Sequence, residues 1–122
     1  MKSHAAVAAV LLERESATPI NGAALVEGVI RDLETSALGE NEKALLRFVD
    51  CVNRHSTGIT ADSMQPLYAA GWDDAAIYYA ITVCALFNFY NRWVDASGVH
   101  ALSDEAHRLG GKRSADMGYV RK

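Results

Sequence analysis

One segment, from Asp73 to Asp95, constrains this chain more than any other. From Ile77 to Leu86 it is apolar on nearly every side, and a helix apolar all round must be enclosed all round. It then acquires a polar stripe, Asn88, Asn91, Arg92 and Asp95, whose i, i+3, i+4, i+7 spacing puts all four on one face. Seven of the ten aromatic residues fall between Trp72 and Trp93. The segment predicts a buried central helix, about 73–97, that ends in a hydrogen-bonded network or a pocket wall.

The rest of the chain reads as helix too. There are only two prolines, and no segment alternates with period two, so the fold class is all-α. A first helix spans about 3–15 and stops before Thr18-Pro19. A second spans 22–34 on Leu25, Val29 and Leu33. A third begins near Gly39, with Glu42 placed to reach back to the cap. Its apolar face is Leu45, Phe48, Val49 and Val52. A fourth follows Thr60 or Ser63, with Ser63 the favoured cap because Pro66 is tolerated only in a first turn, and ends at Gly71. Asp73 caps the central helix, Trp72 and Ile77 are spaced as a hydrophobic staple, and Gly98 ends it. A sixth starts at Ser103 and stops at Gly110-Gly111. Residues 1–110 form one helical domain in this reading, and 111–122 a basic C-terminal tail.

With 122 residues, the chain can bury about two thirds of its unfolded surface. Half of the residues are hydrophobic and 22% are charged, a composition of ordered domains. A net charge of −3 gives no electrostatic reason to expect nucleic acid. The N-terminal apolar stretch runs on into Glu13-Arg-Glu15 and does not read as a signal peptide. The run Ile77–Tyr90 is shorter than the ~20 residues a bilayer requires. Two cysteines make no disulfide framework and suit a reducing compartment. The expectation is a cytoplasmic protein without membrane or nucleic-acid partners.

Several blocks agree in order with one family. Gly39-Glu-Asn-Glu-Lys-Ala-Leu-Leu-Arg-Phe-Val49 is followed by Ile59-Thr-Ala-Asp62 and Leu67-Tyr-Ala-Ala-Gly71. Phe87-Asn-Phe-Tyr-Asn-Arg92 and Ser97-Gly-Val99 come next. Over roughly Val26–Val99 the chain resembles the second half of peroxidase-related proteins in the alkylhydroperoxidase D and carboxymuconolactone decarboxylase superfamily. The resemblance implies a bundle of about six helices and obligate oligomers. It also implies thiol-dependent hydroperoxide reduction by a Cys-x-x-Cys-x-x-x-His motif, with no cofactor. Aligned on these blocks, His4 falls at the motif histidine and the cysteine pair falls before residue 1. The chain itself has no Cys-x-x-Cys.

Three groups of residues are candidates for chemistry. His4 is either the end of the redox motif or a surface histidine. Cys51 and His55 are i, i+4 on the third helix, close enough for imidazole to meet sulfur, although Phe48 stands where a resolving cysteine would be. Asn88, Asn91, Arg92 and Asp95 either satisfy one another, with Arg92 and Asp95 spaced for an ion pair, or line a small-ligand pocket. Cys84 sits within the apolar helix and reads as inert. His100, Asp104 and His107 lack a shared face and a completing ligand, so no metal is expected. Two function classes follow: a thiol-dependent peroxidase lineage, and a non-catalytic helical module for assembly or small-ligand binding. Because the aromatic helix outstrips the cover that five neighbours supply, a homo-oligomer is expected, a dimer or an assembly of dimers.

Overall fold

The computed structural model describes residues 2–118, and only the backbone of Lys2 and Ser3. Residues 119–122 of the expected tail lie outside the described residues. The described chain is all-α, as its sequence predicts. Its helices are α1 (Lys2–Glu15), α2 (Gly22–Arg31), α3 (Glu40–His55), α4 (Gln65–Ala69), α5 (Asp74–Ala96) and α6 (Asp104–Met117). Two 3-10 turns, Ser56–Gly58 and Ala61–Met64, join α3 to α4. These elements form two compact units, residues 38–99 and residues 1–37 with 100–122.

The first unit holds α3, α4 and α5. Phe48, Leu67 and Ile77 are its buried centre, and Leu45, Val52, Met64, Trp72 and Ile81 pack around them. Local chemistry sets each helix end. The Glu42 carboxylate accepts from the Gly39 N–H at 2.8 Å, and Asp73 accepts from the Ala76 N–H at 2.8 Å. Each satisfies an amide that the helix itself leaves unpaired. Gly71 (φ +90°) and Gly98 (φ +70°) take the left-handed backbone that ends α4 and α5. The Trp72 indole joins the core and donates Nε1–H to the Asn41 carbonyl at 2.8 Å, so one residue fixes the α4–α5 turn against the start of α3.

The second unit packs α1 against both α2 and α6. Contact is close because glycine stands at each crossing. A Cβ on Gly22 would lie 2.0 Å from the Ala9 carbonyl oxygen, and one on Gly111 would lie 2.6 Å from the Ala6 Cβ. Here the structure departs from the sequence reading. Gly110-Gly111 does not end α6, which continues to Met117, so residues 111–117 are helix. Gly111 is buried against α1 and serves close approach, not termination. Arg14 closes the far end, pairing with Asp116 and donating to the Ala115 carbonyl at 3.0 Å.

Candidate functional site

The surface that stands out lies on α5. Its 23 residues carry no charge between Asp74 and Arg92. Ile77, Ile81, Cys84 and Asn88 turn inward, and only Ile77 and Cys84 are fully buried. At about 100° per residue, the opposite side of the helix carries Tyr78, Tyr79, Leu86, Phe89, Tyr90 and Trp93. These six side chains are 49–73% exposed. Phe89 and Tyr90 meet edge to face with centroids 5.3 Å apart. The expectation of a helix enclosed on every side therefore does not hold within residues 38–99. Within that unit α3 packs along one side of it, and α4, only five residues long, adds little cover.

Between α3 and α5 runs a groove of about 560 Å³. Leu45, Leu46 and Val49 line one wall, and Val83, Phe87 and Asn88 the other. Asn88 organises its polar end. The Asn88 Nδ2 donates to the Asn53 Oδ1 at 2.7 Å and to the Cys84 carbonyl at 3.0 Å. Arg92 Nη1 donates back to the Asn88 Oδ1 at 2.7 Å and to its carbonyl at 2.9 Å. The network crosses between helices at Asn53–Asn88 and, through the Cys84 thiol, at the Val49 carbonyl, and otherwise climbs one turn of α5.

The predicted polar stripe is thus divided. Asn88 and Asn91 line the groove, and Arg92 adjoins it through Asn88. Asp95 is exposed and stays apart. Arg92 turns toward Asn88, one turn back, so the Arg92–Asp95 pair does not form. Among the described residues Arg92 has no carboxylate partner. Asp50, on the groove wall, is engaged by Arg54 at 2.7 Å. Asn53 escaped the sequence reading. Its signal was the i, i+4 row Leu45, Val49, Asn53, in which an amide continues an apolar line.

The remaining candidates are placed as follows. Cys51 and His55 are exposed on α3 with no hydrogen bond between them. His55 is the last residue of the helix, beyond its final core contact at Val52. His4 lies on α1 in the other unit, and desolvation by its surroundings lowers its pKa from the usual value. Cys84 is buried and free, its thiol 3.9 Å from the Val49 carbonyl. Among the described residues no cluster of three or more metal-ligating side chains occurs, and no helix is long and apolar enough to cross a membrane. No protein-family model, curated protein or solved structure matches this chain.

Proposed function

We propose that this chain is a non-catalytic, self-associating helical module of alkylhydroperoxidase D-like lineage, working in a reducing compartment such as the cytoplasm. One observation carries the reading: the exposed aromatic face of α5. Tyr78, Tyr79, Leu86, Phe89, Tyr90 and Trp93 leave more apolar surface in water than a monomer ordinarily tolerates. The lineage rests on the ordered blocks from Gly39 to Val99. The non-catalytic reading rests on the cysteines. Dithiol chemistry needs two sulfurs within disulfide reach and a depressed thiol pKa. Here one cysteine is buried and the other lies exposed without a hydrogen bond to its neighbouring histidine. Light scattering coupled to size exclusion at micromolar concentration tests self-association. Twice the 13.2 kDa chain mass or a higher multiple is expected, and a clean monomer overturns the reading.

The α3–α5 groove favours a second role. Apolar walls lead to Asn53 and Asn88, and beside Asn88 stands an arginine with no carboxylate partner among the described residues. That is the chemistry of an amphipathic carboxylate, its chain on Leu46 and Val83 and its head on the Arg92 fork. Calorimetric titration with decanoate tests it, with binding expected for the native chain and lost in Arg92→Ala.

A further inference from the structure

Resting on the self-association reading, we infer that two copies pair through antiparallel α5 helices, with Leu86 packed against the partner's Phe89. The sequence of the exposed face is a heptad seam. Tyr79, Thr82, Leu86, Phe89 and Trp93 step by three, four, three and four residues. That is the spacing by which one helix offers a continuous line of knobs to another. Tyr78 and Tyr90 flank the seam.

The exposed area matches what a dimer requires. Six side chains of this class, each 49–73% exposed, present roughly 700 Å² in total if each spans about 150–250 Å² when bare. A standard interface takes about 800 Å² from each partner.

The choice of occupant follows from charge. A membrane surface recruits amphipathic helices flanked by lysine and arginine. This helix carries Asp73, Asp74 and Asp95 against Arg92 alone, so anionic lipid repels it. An uncharged seam suits a copy of itself.

Direction follows from size and dipole. In a parallel pair in register, Trp93 would meet Trp93 and Thr82 would meet Thr82, crowding one layer and leaving a gap in the other. Four carboxylates, Asp73 and Asp74 from both copies, would also gather at one end. Reversing one helix sets Thr82 against the partner's Trp93 and Tyr79 against the partner's Ala96. Every layer then joins a large side chain to a smaller one, as close packing demands. The helix dipoles oppose, and the aspartates separate.

Disulfide trapping tests the arrangement in the full-length chain, with Cys51→Ser to remove the exposed native thiol. Tyr79→Cys and Ala96→Cys are made separately and mixed. The mixture, mildly oxidised, is expected to give about tenfold more cross-linked dimer than either alone, because only the mixed pair brings the two Cβ atoms within disulfide reach. Leu86→Lys is expected to yield a monomer with the native helical circular dichroism. A dimer in which Tyr79→Cys links to itself overturns the antiparallel arrangement and leaves self-association standing. A dimer that survives Leu86→Lys, or that shows no link through α5, overturns the choice of face. A native chain that is monomeric overturns self-association and this pairing together.

Discussion

The Asn88 side-chain amide donates to the Asn53 Oδ1 at 2.7 Å, the hydrogen bond that ties α5 to α3 at the polar end of their groove. Asn88 spends the rest of its capacity on Cys84 and Arg92. Removing it therefore takes a hydrogen bond from three partners, whereas removing Asn53 takes one from a single donor.

Asn88→Ala is expected to destabilise the chain more than Asn53→Ala. The direct coupling between the two should be about 0.5–1.5 kcal/mol, toward the lower end because Asn53 is exposed. A double-mutant cycle from thermal or urea melts measures it. Additive losses would show that the bond contributes nothing.

Cysteine accessibility separates the two function classes. A thiol reagent should modify Cys51 at once and Cys84 only as the chain unfolds, given that Cys84 is 9% exposed. Peroxide consumption with dithiothreitol should match the no-protein control. Turnover well above that control, abolished by Cys51→Ser, would restore the Cys51–His55 pair to chemistry.

Neighbouring glycines in α6 should respond in opposite ways. At Gly111 an added methyl meets the Ala6 Cβ at 2.6 Å and the Ala6 backbone carbon at 3.0 Å. Gly111→Ala should thus cost about 1–3 kcal/mol by overpacking. At Gly110 nothing lies within 4 Å, so Gly110→Ala should stabilise by up to about 1 kcal/mol through helix propensity. Melting midpoints of the two variants check the pair, and Gly22→Ala should fail like Gly111→Ala.

Acid should weaken the turn after α2 through Asp32. Its carboxylate accepts from the Thr35 hydroxyl at 2.9 Å and from the Glu34 N–H at 3.0 Å. These bonds, that from Thr35 first, hold its pKa below the usual carboxylate value. For a depressed carboxyl, the stabilisation is complete above the unfolded-state pKa and is lost as pH falls through the folded-state one. Asp32→Ala should therefore melt earlier than the native chain at neutral pH, with the gap closing in strong acid. A gap independent of pH would mean that the ionised carboxylate is not what holds the turn.

Several helix ends were legible from the sequence because their causes are local, whereas α2 stops at Arg31, short of the expected residue 34, and α6 runs past Gly111. Capping by Asp73 and Ser103, termination at Gly71 and Gly98, and the Phe48 face of α3 each follow from residues within a turn or two of one another. The Asn88-to-Arg92 part of the polar stripe was legible for the same reason. Asn53 and the roles of Gly22 and Gly111 were not, because each depends on a residue at least nine positions away. Gly111 reads as a helix stop until α1 is laid against it. Arg92 reads as a partner for Asp95 until the fold offers it an anchored Asn88 carbonyl. The sequence alone determined that α5 is too apolar for water on every side. Only the tertiary structure decided which side of α5 its own unit covers, because burial depends on which neighbours arrive: α3 packs along one side, and a five-residue α4 cannot reach around to Trp93.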